Sequence, residues 1–123
     1  MEAWKPIKIC SVFAVSNYGR VKRIKPGGTR AIVGKIMKLY TNSQGYMKVQ
    51  LQRKNHFVHR LVLEAFVGSC PEGHECNHKN GIKNDNHISN LEWITPSQNT
   101  KHSYDLGLQP KRKSRGRKWL QLE

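Results

Sequence analysis

The sequence predicts a small α+β protein: a β-rich N-terminal module, one linking helix, a strand–loop–strand–helix unit and a basic C-terminal tail. Three observations carry this reading. Short runs of alternating apolar residues, broken by Gly, Asn and Pro turn chemistry, fill the chain up to Phe57. The apolar spacing then lengthens to a helical period from His59 onward. A second helix start, Thr95-Pro96-Ser97-Gln98, follows one further short apolar run. At 123 residues the chain can form one modest core, but not a deep substrate cavity.

The elements follow in order. Phe13 and Val15 alternate with polar neighbours, Ser16-Asn17-Tyr18-Gly19 is a turn, and Arg20–Ile24 reads as the returning strand. Lys25-Pro26-Gly27-Gly28 breaks the chain. Met37 and Leu39 alternate with Lys38 and Tyr40. After the loop Thr41–Gly45, Met47, Val49 and Leu51 alternate with Lys48, Gln50 and Gln52, so a hairpin with one apolar and one basic, polar face is expected. Arg53-Lys54-Asn55 is expected to turn into His56-Phe57-Val58. Val58, Leu61, Val62, Ala65 and Phe66 then line one helix face, stopped by Gly68. Cys76-Asn77-His78 ends a short strand, a polar loop runs to Asn90, and Leu91–Ile94 forms the next strand. Thr95 with Gln98 forms a capping box, Pro96 takes the first helical position, and Gly107 is placed to end the helix. Trp93 and Phe66 are core candidates.

Charge narrows the function. The chain carries 22 Lys+Arg against 8 Asp+Glu, a net +14, with pI near 10.1. Residues 1–50 hold ten basic residues against one acid, residues 51–100 five of each, and residues 101–123 seven against two. A neutral centre between two basic arms fits a polyanionic partner, nucleic acid ahead of membrane. Mean hydropathy is −0.71 and no apolar run is long enough to span a bilayer. The N-terminus lacks the layout of a secretory signal, and three cysteines are no disulfide scaffold, so a reducing setting is expected. Residues 110–118 (Lys111, Arg112, Lys113, Arg115, Arg117 and Lys118 among them) form a low-complexity basic run, expected to be disordered without a partner.

The stretch from Glu75 to Asn99 carries the chemistry. Two strands folded back on each other with a helix across them bring together Asn77, His78, Asn90 and Asn99. Such a cluster offers amide oxygens to a hard metal ion while an imidazole stands beside it as a base. Asn80, Asn84 and Asn86 read as ordinary turn residues. Asn99 inside a capped helix is unusual by propensity, which favours a functional role.

His59-Arg60-Leu61-Val62-Leu63-Glu64-Ala65-Phe66, Asn77-His78-Lys79-Asn80-Gly81, and Asn90-Leu91-Glu92-Trp93-Ile94-Thr95 with Asn99 resemble, in this order, the HNH nucleases of the phage and intron homing-endonuclease branch, with their ββα-metal fold. Trp4-Lys5-Pro6-Ile7 and Val15–Val21 resemble a modular motif found in front of such nucleases. The resemblance implies a metal-dependent DNA endonuclease that leaves 5′-phosphate and 3′-hydroxyl ends, with His78 as general base. It implies that Asn77 and Asn99 hold one Mg²⁺ or Mn²⁺ and that Asn90 orients His78 through its other ring nitrogen. With both ligands neutral, the ion should bind weakly until a DNA phosphate joins.

On this reading residues 1–55 are a β-rich DNA-binding module, 56–107 the HNH nuclease domain and 108–123 a basic flexible tail. Candidate contacts to double-stranded DNA are Arg20, Lys22, Arg23, Lys48, Arg53, Lys54 and the six tail residues named above. His59 and His102 are candidate phosphate contacts, although His59 could equally serve the helix start. Cys70, His74, Cys76 and His78 lack zinc-knuckle spacing, and His78 cannot be both buried ligand and base, so zinc is not expected. No membrane and no small-molecule cofactor are expected, and the setting would be the cytoplasm of a phage or mobile-element host. The alternatives are a non-catalytic DNA-binding protein with a decayed HNH fold and a structural RNA-binding protein, the latter leaving the Asn-His/Asn/Asn order unexplained.

Overall fold

A computed structural model describes residues 1–28 and 31–105. Among the described residues, three small antiparallel sheets and two α-helices make up an α+β fold. The first sheet has strand order β1 (Trp4–Ile7), β2 (Cys10–Ser16), β3 (Val21–Arg23). Pro6, which has no N–H to give, sits on edge strand β1 beside a register shift. Between β2 and β3 the Ser16 hydroxyl accepts the N–H groups of Tyr18 and Arg20, each at 3.1 Å, and Gly19 takes a left-handed φ of +87°. That is the turn expected at Ser16–Gly19.

The second sheet runs β4 (Tyr40–Thr41), β5 (Met47–Leu51), β6 (Lys54–Phe57). Two expectations shift here. The alternating segment from Met37 contributes only Tyr40 and Thr41 to β4, because the residues before it pair with β3 instead. Met37 donates its N–H to the Val21 carbonyl at 2.8 Å, and Ile36 bridges Lys22. The turn expected at residues 53–55 falls earlier, on Gln52 and Arg53, which adopt φ of 50° and 73°. A two-residue loop with both residues left-handed matches the twist of its flanking strands. The register Val49↔His56 and Leu51↔Lys54 keeps Val49 and Leu51 buried, so Asn55 joins the strand despite its turn preference.

Helix α1 (Val58–Phe66) buries Val58, His59, Leu61, Val62 and Leu63. It stops where Val67 and Gly68 both donate to the Leu63 carbonyl, with Gly68 at φ +133°. The third sheet pairs β7 (Glu75–His78) with β8 (Leu91–Ile94), and a 3₁₀ turn, Ile88–Asn90, leads into β8. Helix α2 (Pro96–Asp105) opens with the expected capping box: Thr95 and Gln98 each accept the other's backbone N–H, at 3.2 and 3.0 Å. Gly107 and the basic run from Lys111 to Lys118 lie outside the described residues.

One core joins both halves. Ile7, Phe13, Val15 and Val21 from the first sheet pack in the same cluster as Val49 and Leu51, four residues of α1 and Leu91 of β8. Trp93 and Phe66 pack against it half-buried, Trp93 donating its indole N–H to the Gly68 carbonyl at 3.0 Å. No helix among the described residues is long and apolar enough to cross a membrane.

Candidate active site

The register of the third sheet places the site. Asn77 lies opposite Glu92 and His78 opposite Leu91 at the end of β7, and Asn99 reaches the same place from α2. Asn77, His78 and Asn99 line one small open cleft with Tyr46, Cys76, Gly81, Lys83 and His102. Three of the four proposed site residues therefore share a cleft. Asn90 is not among its lining residues.

His78 is 6% exposed, and burial holds its imidazole below the ordinary histidine range. Its Nε2 lies 2.8 Å from Oδ1 of Asn86. An amide oxygen can only accept, so Nε2 carries the proton and Nδ1 is left with the lone pair. A neutral ring in a defined tautomer is what a general base requires. The hydrogen bond expected from Asn90 thus comes from Asn86, which is itself 5% exposed. Asn90 is committed elsewhere: its Oδ1 accepts the Asn80 N–H at 2.9 Å and its Nδ2 donates to the Asp85 carbonyl at 2.8 Å. Both ends of that amide hold the loop between β7 and β8 closed.

Asn77 and Asn99 are each turned by a carboxylate. Asn77 Nδ2 donates to Glu92 at 2.8 Å, and Asn99 Nδ2 donates to Glu75. A carboxylate accepts only, so it claims the amide nitrogen and leaves the carbonyl oxygen of each Asn as the available ligand. Two neutral oxygens backed by two carboxylates fit a hard divalent ion. The acids also place negative charge behind ligands that look neutral in the sequence.

The other candidates are placed as follows. His59 is 8% exposed, with its ring 5.2 Å from Phe57, 5.3 Å from Tyr46 and 5.1 Å from His78, centroid to centroid. Its Nδ1 is buried without a hydrogen-bond partner among the described residues. Burial, with His78 and Arg60 nearby, pushes its pKa down to about 4. His59 is thus a buried imidazole packed against Tyr46 and His78 and is not among the residues that line the cleft. His102 lines the cleft and donates from Nε2 to the Lys79 carbonyl. Cys70 turns its thiol to the carbonyls of Pro71 and His74, and burial pushes the Cys76 thiol up to about 12.

Among the candidate DNA contacts, Arg20 is bound to Glu2 at 2.5 Å, which holds that carboxylate down to about 2. Lys22 lies 4.2 Å over the Trp4 ring, and Arg23 5.4 Å over Phe13. Arg53 and Lys54 are exposed at the β5–β6 turn, and Lys48 is half-buried.

Sequence reasoning missed Asn86, Glu75, Glu92, Tyr46 and Lys83. Glu92 could have been found, since Asn77 and Glu92 face each other once the two strands pair. Tyr46 and Lys83 meet across the two halves: Lys83 Nζ sits 5.0 Å over the Tyr46 ring and donates to the Gln44 carbonyl at 2.9 Å. No local pattern signals such a contact.

Burial of His59 has a consequence for stability. The unfolded histidine takes its proton near pH 6.5, whereas the folded one does so only near 4. The stability present above pH 6.5 is therefore lost as pH falls toward 4, by about 3 kcal/mol from His59. His78, also lowered, adds loss of the same sign. Denaturant unfolding across this range should show the decline, and His59→Phe should flatten most of it.

Residues 56–101 match the HNH endonuclease family, and residues 2–52 match the NUMOD4 motif. An uncharacterized HNH endonuclease of Acanthamoeba polyphaga mimivirus is 39% identical over an alignment of 116 residues, taking in 87% of this chain and 27% of that protein. DNA endonuclease I-HmuI of Bacillus phage SP01 is 34% identical over 109 residues, 85% of this chain and 59% of the phage protein. The fold matches a solved structure, of DNA binding and cleavage by the HNH homing endonuclease I-HmuI, with a TM-score of 0.73 at 33% identity. That match covers 88% of this chain and 61% of the other. The chain thus spans less than two thirds of the length of these relatives. By sequence and fold, residues 56–101 are an HNH endonuclease domain preceded by a NUMOD4 motif over residues 2–52, and most of the chain is similar to HNH homing endonucleases.

Proposed function

We propose that this chain hydrolyses phosphodiester bonds of double-stranded DNA with one Mg²⁺ or Mn²⁺, leaving 5′-phosphate and 3′-hydroxyl ends. The observation that carries this reading is a single cleft shared by His78, in a defined tautomer, and by two Asn residues whose oxygens are left free to ligate. Nδ1 of His78 accepts the proton of the attacking water, and the Asn86 oxygen holds the imidazolium that results through Nε2–H. Asn77 and Asn99 would hold the ion through their side-chain oxygens. Once bound, the ion supplies Lewis-acid stabilisation of charge on the phosphoryl oxygens and the leaving 3′-oxygen. Lys83 and His102 stand at the same cleft, where a phosphate would lie. The duplex would be held by Arg20, Lys22, Arg23, Lys48, Arg53, Lys54 and the basic run from Lys111 to Lys118. I-HmuI being a Bacillus phage protein, a phage-host cytoplasm is the setting this reading favours.

The test is nicking or linearisation of supercoiled plasmid with Mg²⁺, with Mn²⁺, and with EDTA. Cleavage that needs the ion supports the reading. Binding without cleavage under all three conditions would support a DNA-binding protein with a decayed site instead. Asn99→Ala is expected to raise the Mg²⁺ needed for half-maximal rate by roughly 10-fold to 100-fold, read from a metal titration of the same assay.

A further inference from the structure

The turn between β2 and β3 lies against the segment that carries Asn86. A Cβ built on Gly19 would stand 2.8 Å from Cβ of Asn86 and 3.1 Å from its carbonyl oxygen. Asn17 accepts the Ile88 N–H at 2.8 Å, and the Tyr18 ring stacks on His87 with centroids 5.1 Å apart. Three successive turn residues thus each meet one of residues 86–88. Asn86 in turn receives the Nε2–H of His78, and both side chains are buried.

We propose that the Asn17-Tyr18-Gly19 turn of the NUMOD4 motif is a positioning element for His78, acting through Asn86. Gly19 is required there twice, once for its left-handed backbone and once because any side chain would enter the space of Asn86. Displacing Asn86 by a few tenths of an ångström or more weakens the hydrogen bond that fixes the His78 tautomer, and Nδ1 then loses its defined lone pair. The N-terminal motif on this account completes the catalytic unit, besides any contact it makes with DNA. The inference rests on His78 being the general base.

Gly19→Ala tests it, with Gly73→Ala as control. Gly73 also has a left-handed φ, +76°, but among the described residues nothing lies within 4 Å of its Cβ position. Both variants carry the backbone penalty, and only Gly19→Ala meets Asn86. Two readouts are taken on the full chain: the His78 tautomer by ¹⁵N NMR, and kcat and KM for plasmid cleavage. Gly19→Ala should lose the Nε2-protonated signature and drop kcat on the order of 10²-fold with KM little changed. Gly73→Ala should keep both. Should Gly19→Ala fail to fold, Tyr18→Ala, which removes only the stack on His87, should show the same changes to a smaller degree. A folded Gly19→Ala with wild-type tautomer and kcat, an equal loss in Gly73→Ala, or an unaltered Tyr18→Ala would overturn the proposal. A wild-type protein that cuts no DNA would instead sink the nuclease reading, and the tautomer measurement would still decide this one.

Discussion

Replacing His78 by Ala is expected to slow single-turnover DNA cleavage by about 10²–10⁴-fold while leaving DNA affinity close to wild type. The reason is local: the ring is buried, neutral and held in one tautomer by Asn86, and its removal deletes the proton acceptor without touching the basic residues of the first sheet. Two companion variants sharpen the assignment. Asn86→Leu should reproduce part of the rate loss, because it removes the acceptor that fixes the ring. Asn90→Ala should act mainly on stability, because Asn90 bonds the backbone at Asn80 and Asp85 rather than His78. Rates and melting temperatures measured together separate the two. A wild-type rate in His78→Ala would remove the base assigned here.

The second large effect is on folding. Leu63 is fully buried on α1, in the cluster that joins the first sheet, the second sheet and β8. Truncation of such a leucine to Ala costs about 2.7–5 kcal/mol, because a cavity is left where the side chain stood. Since the NUMOD4 segment and the HNH segment share this core, the loss should appear as an earlier midpoint of a single transition in denaturant. A probe on Trp4 and one on Trp93 should then report the same midpoint. Two separate transitions would mean that the halves fold independently.

That shared core bears on how far the residues alone could be read. Element order was legible because it depends on local chemistry: alternation in β2 and β5, the helical spacing of Val58, Leu61 and Val62, and the Thr95/Gln98 capping box. The grouping of Asn77, His78 and Asn99 was legible for the same reason, since two strands and a capped helix leave few ways to arrange them. Where several local choices competed, the sequence was a poorer guide. Asn55 is a good turn residue, yet the burial of Val49 and Leu51 moved the turn to Gln52 and Arg53.

Which side chain would meet which lay beyond the sequence. Asn80, Asn84, Asn86 and Asn90 are chemically alike, and all four sit in or beside one polar loop. Nothing in their order says that Asn86 bonds His78 while Asn90 bonds backbone. The loop closes against Ser16–Gly19, a segment about seventy residues earlier in the chain. The carboxylates behind Asn77 and Asn99 are set by strand register and by the packing of α2. By itself the sequence determined most of the elements, their order and the grouping of Asn77, His78 and Asn99. The tertiary structure decided which atom of each residue is free to act, because hydrogen bonds between distant segments form only once the core has brought them together.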